Sequence, residues 1–128
     1  MKISRNEPFP SQPACAASLK NVIDALYVLN GKWKLALILA LVQSSKRFRE
    51  IQHDVAGISS KVLANELKDL ELNGFIKRNV YPTTPVSIMY EATPYSETLK
   101  PVLGELSVWG EQHREKVKQS MRSQGKPA

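Results

Sequence analysis

Cysteine is almost missing from this chain: Cys15 is the only one among 128 residues. A lone thiol forms no disulfide within its own chain and builds no thiolate zinc cluster, so a reducing compartment fits best. Histidine is nearly as scarce. His53 and His113 stand far apart, with no set of Asp, Glu or Cys at ligand spacing beside them. Neither a metal site nor a nucleophile triad is expected, and with them go cofactors and an enzymatic role. No glycine-rich phosphate loop occurs; the glycines mark turns, helix ends and the tail, apart from Gly104 and Gly110, which suit close helix approach between subunits. Long apolar runs are missing too. The longest, Leu35 to Val42, is far too short to span a bilayer, and the opening MKISRNEPFPSQP has no apolar stretch of a signal peptide. The sequence reads as soluble and cytoplasmic, with no membrane partner.

What is present in excess is positive charge. Lys and Arg number 18 against 12 Asp and Glu, a formal charge of +6. That balance favours a polyanionic partner such as nucleic acid or anionic lipid. Prolines and polar residues gather at the two ends, so the chain divides into a flexible arm over 1–13, one domain over 14–114 and a basic tail over 115–128 that frays.

Inside the domain the spacing of apolar residues predicts the elements. Leu19, Val22, Ile23 and Leu26 recur at helical intervals on a first amphipathic helix ending near Asn30-Gly31. KWKLALILALV, Lys32 to Val42, is apolar nearly all round and reads as a buried central helix. Phe48, Ile51 and Val55 give a short third helix closed by Gly57. Ser59 or Ser60 caps a fourth, which Asn73-Gly74 stops. At about 100 degrees per residue, Leu63, Leu67 and Leu70 share one side of that helix and Lys61, Asn65 and Lys68 the other. Leu72 falls on the polar side, against the pattern. FIKRNVY and VSIMYEA flank PTTP as the strands of a β-hairpin, its tip stiffened by Pro82 and Pro85, which cannot donate to a ladder. Thr93-Pro94 opens a last helix, with Leu99, Val102, Leu103, Leu106 and Trp109 in period to about His113 and Pro101 as a kink.

The expected fold is therefore mainly α with a β-hairpin wing, an α+β winged helix-turn-helix whose fourth helix, about 59–73, is the recognition helix. A major groove admits one helix that buries its back and turns donors outward. Lys61, Asn65 and Lys68 meet that requirement, Asn suited to adenine edges and Lys to guanine or phosphate. Their alternative is an ordinary solvated face. Arg47 and Arg49 either grip phosphate from the third helix or pair with Glu50. Lys77 and Arg78 either reach the backbone or minor groove beside the hairpin tip or are plain strand charges. Trp33 and Trp109 are expected in the core or a dimer interface rather than around a small molecule.

Five stretches, GKWKLALILALV (Gly31–Val42), KRFREIQ (Lys46–Gln52), GISSKVLANELKDLELNGFIKR (Gly57–Arg78), VYPTTPVSIMYEAT (Val80–Thr93) and LKPVLGELSVWGEQH (Leu99–His113), together resemble the HxlR-type transcriptional regulators. These are bacterial winged-helix proteins related to MarR regulators. The resemblance implies a homodimer on double-stranded DNA, reading an approximately palindromic operator with the fourth helix and with the wing, about 76–92, and regulating nearby genes. By it, Ser59, Ser60 and Lys61 open the recognition helix and Thr83 and Thr84 sit in the wing. The first and last helices would pair the subunits, through Leu19, Val22, Ile23, Leu26, Leu103, Leu106 and Trp109. Family members often carry Cys-Pro before the first helix, and in some this cysteine senses oxidants or electrophiles. Cys15 stands there, followed by Ala16, either as a small apolar filler or as a thiolate favoured by the helix N-terminus. Two other readings follow: a winged helix reused as a protein-interaction module, and a thiol-based redox regulator.

Overall fold

The computed structural model describes residues 12–124. The chain divides after Lys32 into two units. The first contains α1, Gln12–Val28, closed by a hydrogen bond from the Leu29 N–H to the Ala25 carbonyl at 3.0 Å. Residues 1–11 of the expected arm lie outside the described residues, but Gln12 and Pro13 belong to the helix. Proline in a first turn forfeits no helical hydrogen bond, so Pro13 can start the helix as readily as end an arm. Leu19, Val22, Ile23 and Leu26 are all exposed.

The second unit runs α2 (Lys34–Gln43), α3 (Phe48–Asp54), α4 (Ser60–Leu72), β1 (Ile76–Tyr81), β2 (Ser87–Ala92), α5 (Pro94–Glu97) and α6 (Lys100–Gln124). Its core is built where the apolar periodicities of α2, α3 and α4 converge: Leu37, Ile38, Ile51, Leu63, Leu67 and Leu70 are all less than 2% exposed. Side chains of this kind each contribute roughly 1.5–3 kcal/mol when fully buried. Between α3 and α4 the chain turns at Gly57, whose φ of +92° an L side chain rarely adopts, and Ile58 drops into the core. Ser59 then caps α4, its hydroxyl oxygen accepting from the Val62 N–H at 3.2 Å.

β1 and β2 pair antiparallel from Ile76↔Ala92 at the base to Tyr81↔Ser87 at the tip. Pairing stops before Pro82, as a residue without an N–H requires. Lys46 adds a one-residue third strand: its N–H donates to the Tyr90 carbonyl at 2.9 Å and its carbonyl accepts from the Tyr90 N–H at 2.8 Å. No periodicity announces a strand that short.

The side chain of Lys46 reaches Asp54 at 2.8 Å, tying the end of α3 to the hairpin. The hydrogen bond from Lys46 holds the Asp54 carboxyl below its ordinary value of 3.8 against partial desolvation, with help from the Lys46 charge and His53. A depressed aspartate stabilises the fold fully above pH 3.8 and loses that contribution as pH falls through the lowered folded value. Urea midpoints of wild type and Asp54→Asn should accordingly draw together on acidification below that pH.

The base of the hairpin is fastened to the helices by hydroxyls. Thr93 Oγ1 donates to the Gly74 carbonyl at 2.7 Å and accepts from the Ser96 N–H at 3.3 Å, capping α5. The Phe75 carbonyl accepts from the Thr93 N–H at 3.1 Å and from the hydroxyl of Ser96, a fully buried polar side chain. We expect Ser96→Ala to cost about 1 kcal/mol in chemical denaturation, the net worth of a satisfied internal hydrogen bond.

Three expectations for the C-terminal region change. The single kinked helix is two helices, because the Pro101 ring clashes with a helical carbonyl at Glu97; α5 ends there and Pro101 becomes the second residue of α6. The tail does not fray after His113: α6 continues to Gln124, with Val117 and Met121 extending an apolar stripe set by Val102, Leu106 and Trp109. Leu103, expected at a subunit interface, is only 6% exposed and packs into its own domain. One helix face cannot serve both ends, and Leu103 lies on the inner one.

Candidate nucleic-acid interface

Three of the four sides of α4 are committed to the fold. Leu63, Leu67 and Leu70 enter the core. On one flank Lys34 Nζ of α2 donates to Glu66 Oε2 at 2.6 Å and stands 2.8 Å from Asp69 Oδ2. Burial works against the charge on Lys34, yet its bonds to Asp69 and Glu66 prevail and raise its pKa above 10.5. The other flank meets the hairpin across a depression lined by Ala64, Leu67, Lys68, Glu71, Arg78 and Tyr90. The remaining side carries Lys61 and Asn65, both exposed, with Lys68 at its margin. Among the described residues neither lysine has a carboxylate partner within 4 Å.

The N-terminus of α4 adds hydroxyls whose protons are uncommitted. Ser59 spends a lone pair on the Val62 N–H, and Ser60 accepts from Gln52 Nε2 at 3.0 Å. Both can still donate. Leu72 ends the outward side at 80% exposure, uncovered by any described element.

Arg47 precedes α3, and its side chain shares a depression with Thr83, Thr84 and Pro85 of the wing tip. Glu50 does not neutralise it: that carboxylate accepts from the Arg47 backbone N–H at 2.9 Å, closing the first turn of α3. Arg49 lines a neighbouring depression with Val86, Ile88 and Met89, and neither guanidinium has an ion pair among the described residues. At the tip Thr83 donates to the Pro85 carbonyl at 2.7 Å, which leaves Thr84 as the hydroxyl able to donate outward.

The sequence-predicted residues thus fall into three groups: Ser59, Ser60, Lys61 and Asn65 at the cap and outer side of α4; Arg47, Arg49, Thr83 and Thr84 around the wing tip; Lys68 and Arg78 between helix and hairpin. Lys77 joins none. Successive strand residues point to opposite faces, and Lys77 projects away from Arg78, opposite Glu91 on β2. Sequence reading missed Gln52. A glutamine at a surface position of a short helix carries no signal until its partner, eight residues on, is known.

A helix-turn-helix of α3 and α4, backed by α2 and followed by a two-stranded hairpin, defines a winged helix-turn-helix DNA-binding domain. The chain belongs to the HxlR-like helix-turn-helix family, whose model matches residues 28–118. It is 41% identical over 85 residues to the HTH-type transcriptional regulator YvaP of Bacillus subtilis (strain 168), covering 66% of this chain and 79% of the relative. It is 32% identical over 117 residues to YybR of the same organism, covering 91% of this chain and 89% of the relative. Among solved structures, the redox regulator HypR in its reduced form superposes with a TM-score of 0.71 at 31% identity, covering 77% of this chain and 98% of that one. The protein is accordingly a DNA-binding transcriptional regulator, and no described helix is long and apolar enough to cross a membrane.

Proposed function

We propose that the protein acts in the cytoplasm as a homodimer and reads an approximately palindromic operator, with no catalytic activity of its own. Lys61 and Asn65 meet base edges, and the hydroxyls of Ser59 and Ser60 hold phosphate at the helix N-terminus. Arg47, Arg49 and Thr84 grip the backbone beside the wing, and Lys68 and Arg78 the backbone flanking α4. Thr83 serves by shaping the tip, and Lys77 contributes only to the general positive field. The observation that carries this reading is the exposed, carboxylate-free row on α4 directly opposite its buried leucines.

The exposed apolar faces of α1 and α6 supply a means of pairing two copies, which sets two recognition helices in successive major grooves about 34 Å apart. Selection of bound duplexes from a randomised pool, followed by gel shifts against excess random DNA, tests the assignment. Recovery of a two-half-site sequence and a salt-sensitive complex is expected. A pool that stays random, with no complex, would point instead to a protein-interaction module.

A thiol-regulated form of the same function draws support from the similarity to HypR, solved in reduced and oxidised forms, and to YodB of Bacillus subtilis, solved reduced and diamide-treated. Cys15 falls in the first turn of α1, and its thiol lies outside the described side chains. On this reading diamide alters operator affinity in wild type and leaves Cys15→Ser unchanged. An identical response of the two proteins would end it.

A further inference from the structure

We infer that Gln52 is a specificity-determining positioning residue: its amide locks the turn between α3 and α4 and presents the Ser60 hydroxyl as an outward donor. The inference deepens the operator reading and rests on it. Gln52 Nε2 lies 3.0 Å from Ser60 Oγ and 3.3 Å from the Ile58 carbonyl oxygen. A carbonyl oxygen only accepts, so the group facing Ile58 is the NH2 and not the amide oxygen. Its two protons are then spent, one on each partner.

Two consequences follow from that geometry. With a lone pair of Ser60 Oγ engaged, the hydroxyl proton turns away from Gln52, on the first residue of α4, where helix N–H groups already favour an anion. The second consequence is angular. Ile58 is anchored in the core and Ser60 begins α4, so one amide joined to both fixes how the recognition helix leaves its turn. An angular error at the turn displaces every outward side chain along α4. Phosphate contacts tolerate such a shift by side-chain adjustment, whereas paired hydrogen bonds to a base edge do not. Loss of Gln52 should therefore be felt more on the selected sequence than on random duplex.

Gln52→Met keeps the length of the side chain and removes both donors. Using the duplex selected by wild type, the ratio of its affinity to that of random duplex should fall roughly tenfold in this variant, about one hydrogen bond's worth. The salt dependence of binding should stay the same, since no cation is removed. Ser60→Ala should weaken binding to both duplexes through its lost phosphate donor and lower the ratio by less, because the Gln52 bond to the Ile58 carbonyl remains. The double variant should lose no more than the worse single one, because Gln52 acts through Ser60 and the shared turn. A wild-type ratio in Gln52→Met, an equal loss on both duplexes, or simple additivity with Ser60→Ala would overturn the inference. If wild type itself selects no sequence, the operator reading falls, and this one with it.

Discussion

Trp109→Glu should break up the proposed homodimer and lower affinity for a two-half-site duplex by roughly two to four orders of magnitude, the range over which linking two weak sites raises avidity. Trp109 is 62% exposed in the single chain, and with Pro101, Val102, Glu105 and Leu106 it borders a largely apolar groove on α6. An indole so placed is an expensive surface for a solitary protein and a suitable anchor for an interface core. A carboxylate buried there without a cation would carry a desolvation penalty of several kcal/mol. Sedimentation equilibrium reads the assembly state and a titration of one-half-site against two-half-site duplex reads the coupling. Retention of a dimer by Trp109→Glu would remove α6 from the interface. His113 stacks on Trp109 with ring centroids 5.0 Å apart, so Trp109→Phe offers a milder substitution that should leave the dimer intact.

The second large effect concerns base reading against phosphate gripping. Lys61→Ala should cost about 1–3 kcal/mol on the selected operator and far less on random duplex, whereas Arg47→Ala should weaken both alike and reduce the salt slope by roughly one. The positions differ in the geometry of their surroundings. Lys61 stands beside Asn65 on the outward side of α4, while Arg47 lies against the wing tip, where Thr84 offers a second donor to the same backbone. Neither substitution removes a contact within the described fold, so unfolding free energies should stay within about 0.5 kcal/mol of wild type. Equal losses on both duplexes for Lys61→Ala would reassign it to phosphate.

The fold of the second unit was largely legible because periodicity reports burial directly. Leu63, Leu67 and Leu70 share one side by arithmetic, and they share the core in fact. The prolines of the hairpin tip announced the end of pairing, and Thr93-Pro94 announced a cap. What escaped were features that depend on a partner distant in sequence. The Lys46 bridge exists only because Tyr90 is there to receive it, and the Gln52 bonds exist only because Gly57 bends the chain back. Leu103 misled because helical period identifies an apolar stripe without saying whether its own domain or a second copy covers it. By period alone Pro101 fits a kink, although an early proline is equally a beginning. In the candidate site, residue types on α4 are readable, whereas the separation of Lys77 from Arg78 depends on strand register and the spent proton of Thr83 on the fold of the tip.

The division of labour around α4 bears on how such regulators diversify. Leu63, Leu67, Leu70, Glu66 and Asp69 hold the domain together, while Lys61 and Asn65 hold nothing among its described residues. Changes at those two positions escape the usual penalty for altering a protein, so a duplicated copy can drift toward a new operator without first losing its fold. Stability and address are written on different sides of one helix, and selection can edit the second while leaving the first untouched.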